Sequence, residues 1–225
     1  MGSQMKRAIA ACLGLLALAS PAAADSPVAI VEEVQGKVTG AEFMDYVMPK
    51  SVIKIGDDGS IVLSYLKSCR RETISGAGTV IVGTDESAVH LAEVKAEKTN
   101  CDSKQLNATT RETREAAAAV VRSVANNTPP PTPPLTLYGA SPFVEAKGRG
   151  KLVVERLDVA GERVQVDLEG RQFKGRFYDF AGTGRSLTPG GLYAATFGSS
   201  KIVFRVDPQA KPGATPIVGR LVRME

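Results

Sequence analysis

The chain is 225 residues long, with 28 Lys+Arg, 24 Asp+Glu, one histidine, three cysteines and no tryptophan. A formal charge of +4 over that length is too small to build the basic face that nucleic acids require, so nucleic acid is not an expected partner. A single histidine, with no paired-cysteine or paired-histidine spacing, is too few for a four-ligand zinc centre, and neither a metal nor a cofactor is expected.

The first segment reads as an export signal. Met5-Lys6-Arg7 is a short basic start, residues 8–19 are mostly Ala and Leu, and Ser20-Pro21-Ala22-Ala23-Ala24 supplies small residues for cleavage after Ala24. The apolar run is shorter than the roughly 20 residues a membrane span needs. Residues 1–24 are therefore expected to be removed, and the chain to work in the periplasm or as a secreted protein. A competing reading takes Ile9-Ala10-Ala11-Cys12 as a lipoprotein box with Cys12 lipidated, although almost no apolar run precedes it. Lys6 and Arg7 leave with the signal, which holds no acid; 26 basic and 24 acidic residues remain, a net charge of +2. No later apolar stretch approaches about 18 residues, so no integral membrane segment is expected after cleavage.

Between residues 25 and 105, short β-prone runs alternate with turn residues. The runs cover 28–34, Val38, 51–55, 61–66, Ile74, 79–82 and 88–95. Gln35-Gly36, Gly56-Asp57-Asp58-Gly59 and Gly76-Ala77-Gly78 punctuate them, a pattern that predicts a small antiparallel β domain. The stretch from Ser64 to Ile74 reads as a strand running into Cys69, with Arg70 and Arg71 behind it. Once the leader is gone, Cys69 and Cys101 are an even pair in an exported chain, which reads as a disulfide. Closing a loop of about 33 residues is worth about 3.5–4 kcal/mol on the chain-entropy estimate. Two other uses compete. Zinc lacks ligands beyond His90. A thiol nucleophile activated by Arg70 and Arg71 would have to survive an oxidising compartment.

The next segment changes period. Thr109 and Glu112 have capping-box spacing, Arg111 and Glu115 form a charge pair four apart, and Ala116, Ala119, Val120 and Val124 recur near helical spacing. These predict a helix of about 12–15 residues ending at Asn126-Asn127. Residues 129–134 contain five prolines in six positions. Proline cannot join a helix interior or an internal strand, so this stretch is expected to be an extended spacer rising about 3.1 Å per residue.

Beyond the spacer, seven candidate strands follow at 142–147, 152–157, 163–168, 172–179, 191–197, 201–206 and 216–223. Val164, Val166 and Leu168 alternate with Gln165 and Asp167. Leu187-Thr-Pro-Gly-Gly-Leu-Tyr193 resembles a sandwich corner, in which a Pro/Gly bend feeds a strand whose tyrosine hydroxyl reaches back to the backbone. The expected fold class is thus mainly all-β: a small antiparallel β domain (25–105), a short helix (106–125), a Pro-rich linker (126–136) and a C-terminal immunoglobulin-like β-sandwich (137–225).

Two segments carry a family resemblance. Val28-Ala-Ile-Val-Glu-Glu-Val-Gln-Gly-Lys-Val38 and Val52-Ile-Lys-Ile-Gly-Asp-Asp-Gly-Ser-Ile-Val-Leu63 resemble the opening strands and the Gly-Asp turn of secreted proteobacterial proteins with a FecR-like periplasmic β domain. The continuation from Tyr65 through Cys69 to Gly83 is similar to a largely uncharacterised subgroup, and the likeness covers residues 28–95. The resemblance implies a periplasmic module that contacts other macromolecules and brings no catalytic residues. The family's sigma-factor regulators need a membrane span, which this chain is not expected to have.

Catalytic sets are not assembled by spacing. His90 would have to serve any Ser-His-Asp triad, with Ser87 and Asp85 near it in sequence, but no nucleophile-elbow motif is present. Gly148-Arg-Gly-Lys151, Gly182-Thr-Gly184 and Asp57-Asp58-Gly59 fail the phosphate-loop, dinucleotide and calcium patterns and read as hairpin turns. The best binding candidate is the strip from Arg171 to Phe180, where Arg171, Phe173, Lys174, Arg176, Phe177 and Tyr178 interleave cations and rings. The structural alternative packs those rings in the core, for the chain has only 7 Phe and 5 Tyr to fill it. The expected function is a non-catalytic binding, scaffolding or signalling-adaptor protein of the bacterial cell envelope, with an envelope protein or glycan as partner. Peptidoglycan or glycan binding, and a cell-envelope hydrolase, are the alternatives.

Overall fold

The structure, a computed structural model, describes residues 26–103, 110–126, 128, 133, 135–168, 173–174 and 176–224, with backbone alone at 110–114 and 173–174. The expected leader with Cys12, the proline run 129–132 and 134, the cap residue Thr109 and Arg171 lie outside the described residues.

The N-terminal half is built from β1 (Ala29–Gln35), β2 (Val38–Thr39), β3 (Tyr46–Val47), β4 (Val52–Ile55), β5 (Ser60–Tyr65), β6 (Arg70–Ser75), β7 (Gly78–Val82), β8 (Ser87–His90) and β9 (Glu93–Lys98). They form two antiparallel sheets, a first of order β3-β1-β5-β6-β9 and a second of order β2-β4-β7-β8. Period-two alternation aims Ala29, Val31, Ile61, Leu63, Tyr65 and Ile74 of the first sheet at Ile53, Ile55, Val80 and Val82 of the second, giving one buried core. Each large aliphatic side chain buried there contributes roughly 1.5–3 kcal/mol. Gly36 turns β1 into β2 at φ +61°, and a Cβ there would stand 2.3 Å from the Asp58 carbonyl oxygen, so only glycine fits.

Two readings of this half are corrected. Cys69 does not end a strand: β5 stops at Tyr65, a turn follows, and Cys69, at φ +54°, immediately precedes β6. The run 88–95 is not one strand but β8 and β9, broken at Leu91, whose φ is +73°. That break carries the chain from the second sheet to the first.

The helix α1 (Thr110–Ala125) forms as its period implies. Its buried side is Ala117 and Val120, with Val121 and Val124 partly covered, so Val120 and Val124 of the expected set face the sheet while Ala117 and Val121 take the places expected for Ala116 and Ala119. It lies on the C-terminal half, over Leu192, Ala194 and Val203.

That half holds β10 (Leu135–Gly139), β11 (Phe143–Ala146), β12 (Gly150–Arg156), β13 (Arg163–Leu168), β14 (Phe173–Lys174), β15 (Phe177–Asp179), β16 (Leu192–Phe197), β17 (Ser200–Lys211) and β18 (Leu221–Met224). The sheets run β10-β17-β16-β12-β13 and β14-β15-β11-β18. Here β17, β16, β12 and β13 take the places of strands G, F, C and C′ of an immunoglobulin-like sandwich, and β14, β15 and β11 those of D, E and B. The departure is β18, which fills the place beside β11 and runs parallel to it. Four strand readings change. Leu135 and Thr136, expected in the linker, open the strand Leu135–Gly139, for which no strand was expected; 172–179 is the hairpin β14–β15; 201–206 extends to Lys211; and 216–223 is a 3-10 turn at Ile217–Gly219 followed by the short β18. Residues Leu192–Ala195 form an unbroken apolar run because α1 covers Leu192 and Ala194 on one face of β16 while Tyr193 and Ala195 fill the sandwich core on the other.

The two halves touch. Ile30, Met44 and Leu66 from the first sheet's outer face pack with Phe143, Phe177, Ile217, Val218 and Leu221. This seam explains why β5 is buried from Ile61 to Tyr65 on both faces.

Candidate functional site

The cysteines act as a brace. Cys69 and Cys101 form a disulfide with a Cα–Cα distance of 5.6 Å, which removes the zinc-ligand and free-thiol readings. Thr99 N–H donates to the Cys69 carbonyl at 2.8 Å, so the segment leaving β9 is held both covalently and by backbone. The same segment meets the other half: Asp102 accepts from Thr136 N–H at 3.0 Å, and a Cβ on Gly219 would stand 2.6 Å from the Asn100 carbonyl oxygen. The staple therefore pins the crossing point between the halves.

The seam also gathers charge. A β-bulge between Val31 and Glu33 re-aims Glu32 outward. Its carboxylate, almost fully buried, accepts from Arg71 Nε at 2.9 Å and from Val218 N–H at 3.2 Å across the seam. Nearby, the Tyr46 hydroxyl donates to Glu145 Oε2 at 2.7 Å. Arg176 and Arg223 pair with the same carboxylate at 2.9 and 3.5 Å and both guanidinium groups lie on the Tyr46 ring, at 5.4 and 5.2 Å from its centre. Burial, then the Glu145 charge, holds the Tyr46 phenol far above its ordinary range.

This settles where the residues of the expected binding strip stand. Tyr178, 1% exposed, belongs to the sandwich core, and Phe177, 6% exposed, to the seam, so neither offers a ring to an outside ligand. Arg176 is partly exposed but committed to Glu145 and Tyr46. Phe173 and Lys174 pair through β14 with Tyr178 and Phe177, and Arg171 lies outside the described residues. Sequence reasoning missed Tyr46, Glu32 and Glu145, which are brought together from distant positions and carry no local motif.

Two further polar clusters serve the fold. At the corner before β16 the Tyr193 hydroxyl accepts from Thr188 N–H at 2.9 Å and donates to Glu162 at 2.8 Å, the reach-back the sequence implied. Arg156 bridges Asp158 and Glu162 at 2.8 and 3.2 Å. Burial works to raise the Asp158 and Glu162 carboxyls, but Arg156, the Leu192 and Thr188 N–H groups and the Tyr193 hydroxyl outweigh it and hold both below their ordinary values. Desolvation, then the bond to Glu162, pushes Tyr193 up to about 12. In the N-terminal half the buried Glu72 accepts from Arg70 at 2.7 Å and from Ser87 N–H at 3.2 Å, while Tyr65 and Ser87 share a 2.7 Å hydroxyl bond. Desolvation, opposed by that bond, pushes Tyr65 up to about 12.

His90 stands apart from all of these. It points outward from β8 in a row made by Thr39, Lys54, Thr79 and His90 across the second sheet. Ser87 points to the other face, towards Tyr65, so it does not join His90. The adjacent outward row is Val52, Ile81 and Ala88, with Val52 50% and Ile81 47% exposed. Among the described residues no group of three or more His, Cys, Asp or Glu could hold a metal ion, and no helix is long and apolar enough to cross a membrane. Comparison with protein-family models, curated proteins and solved structures found no match.

Proposed function

We propose that the chain is an exported, non-catalytic binding or scaffolding protein of the bacterial cell envelope. The observation that carries this is the outer face of the second sheet, where Val52 and Ile81 sit opposite each other and half exposed. The solvated face of an antiparallel sheet is ordinarily polar, and an exposed apolar row on a stapled scaffold suits a macromolecular partner. The chemistry elsewhere supports the reading. Glu32, Glu72, Glu145 and Arg220 are buried and each is held in bonds that tie elements together. Asp158 and Glu162, which share Arg156, both have lowered pKa values, the opposite of what a proton donor for glycoside cleavage needs. The disulfide fits an extracytoplasmic location, and the FecR-like resemblance agrees with a contact-making periplasmic module.

The test is crosslinking and pulldown from intact envelopes with the wild type and a Val52→Glu/Ile81→Glu double variant. A discrete partner held by the wild type and lost from the variant is expected. A hydrolytic activity of the purified protein that disappears in His90→Ala would overturn the reading in favour of an enzyme. Sedimentation with peptidoglycan that depends on Arg171, Lys174 and Arg176 would replace a protein partner by a glycan.

A further inference from the structure

We infer that the open edge of β8 is a docking site for an extended peptide segment that adds to the second sheet as a further strand. This rests on the binding reading above and names its site and partner class. Sheet edges invite pairing, and proteins ordinarily blunt them with charge, proline, brevity or cover. The other edges here are blunted in those ways. β2, β3 and β14 are two residues each. β9 reads Glu-Val-Lys-Ala-Glu-Lys. Asp102 occupies the Thr136 N–H of β10, Arg185 reaches the Gln165 carbonyl of β13, and β18 carries Arg223. By contrast β8 is Ser-Ala-Val-His, four residues with no Lys, Arg, Asp, Glu or Pro.

Its backbone faces the right way. The Ser87 N–H points away from β7, to the Glu72 carboxylate. By the period of the strand the Val89 N–H and C=O point the same way, and among the described residues nothing pairs with them. One donor and one acceptor thus stand open beside a three-strand apolar row. A guest strand would extend that row, placing an outward side chain beside Ala88 and the next outward side chain beside His90.

The charges select the guest. The outward positions of the four strands are Thr39, Val52, Lys54, Thr79, Ile81, Ala88 and His90, with Lys54 the fixed charge and no acid among them. At the opposite end of β8 stand Asp85 and Glu86, the latter paired with Arg70 at 3.4 Å. An acid on the guest is therefore favoured at the His90 end and opposed at the Asp85 end. The guest is an alternating segment with an aliphatic residue beside Ala88 and a carboxylate beside His90. Leu91, 82% exposed at φ +73°, offers a further apolar contact where β8 ends. Recognition of this kind takes affinity from main-chain bonds and specificity from alternate side chains.

A displayed random-peptide library selected on the purified protein tests this, with the enriched peptides measured by fluorescence anisotropy. Enriched peptides are expected to alternate and to carry an acid. Val89→Pro, which removes the open donor, and Ala88→Lys, which places a charge in the row, are each expected to weaken them at least about tenfold. Both variants are checked for a native melting transition, and Ala88→Lys, at an exposed position, serves if Val89→Pro does not fold. No enrichment, or binding equal in wild type and Ala88→Lys, overturns the proposal. Photo-reactive residues at positions 88 and 165 separate it from the broader reading: an envelope partner trapped from 165 alone sinks the β8 edge but leaves a binding protein, and one trapped from neither, with no enriched peptide, sinks both.

Discussion

Replacing Tyr46 by Phe removes one atom from the seam between the two halves. The ring stays between Arg176 and Arg223, so both cation–ring contacts survive. What is lost is the 2.7 Å bond from the hydroxyl to Glu145, a carboxylate with only 5% of its side chain exposed. A hydrogen bond to a charged acceptor is worth about 1.5–3 kcal/mol, and water has little access to replace it. For a chain of this size each kcal/mol moves the melting temperature by about 2–4 °C, so Tyr46→Phe is expected to lower it by about 3–12 °C. Tyr46→Leu should cost more, because each cation–ring contact adds about 0.5–1 kcal/mol. Denaturant unfolding of wild type, Tyr46→Phe, Glu145→Gln and the double variant would yield the coupling energy. A coupling below about 0.3 kcal/mol, within the scatter of independent sites, would refute the claim that this bond ties the halves together.

Four other outcomes follow from the same structure. Cys69→Ser/Cys101→Ser opens a link across a sequence separation of 32, and should cost about 3.7 kcal/mol by chain entropy, seen as a lower denaturant midpoint; an unchanged midpoint would count against the bracing role. Asp158 and Glu162 have folded-state pKa values below their ordinary 3.8 and 4.5. They bind fewer protons folded than unfolded, so their contribution is present above those values and is lost as pH falls through the lowered ones. Arg156→Met should flatten the acid limb of stability against pH, and an identical limb would contradict the pairing. Tyr46, Tyr65 and Tyr193 are raised above the ordinary 10.0, so stability is full below that pH and should fall as pH rises beyond it, with Tyr193→Phe losing part of that dependence. Leu91→Gly relieves a left-handed conformation without uncovering core, and stability should hold or rise by up to about 1 kcal/mol, whereas Leu91→Val should lower it by about as much; a clear loss with Gly would show that Leu91 packs in a way its exposure does not suggest.

The residues alone determined much of this protein. Short alternating runs punctuated by glycine and aspartate read as strands because side-chain period is a local property, and the even cysteine pair read as a disulfide because export and pairing are matters of count. The tyrosine corner at Leu187–Tyr193 was legible for the same reason: bend, strand start and hydroxyl lie within seven residues. Local signals misled where two states share one composition. Leu135 and Thr136, behind the prolines, read as linker but begin a strand that pairs with β17, and beside the expected Val120 the face of α1 turned to Ala117 because the sheet beneath chose it. Tertiary structure alone decided the seam. Tyr46 and Glu145 are 99 positions apart and Glu32 and Val218 are 186 apart, and no periodicity reaches that far. It also decided that Phe177 and Tyr178 are interior while Val52 and Ile81 are not. An apolar residue in a strand shows which face it shares with its neighbours, and only the packing of the finished sheets determines whether that face meets protein or water.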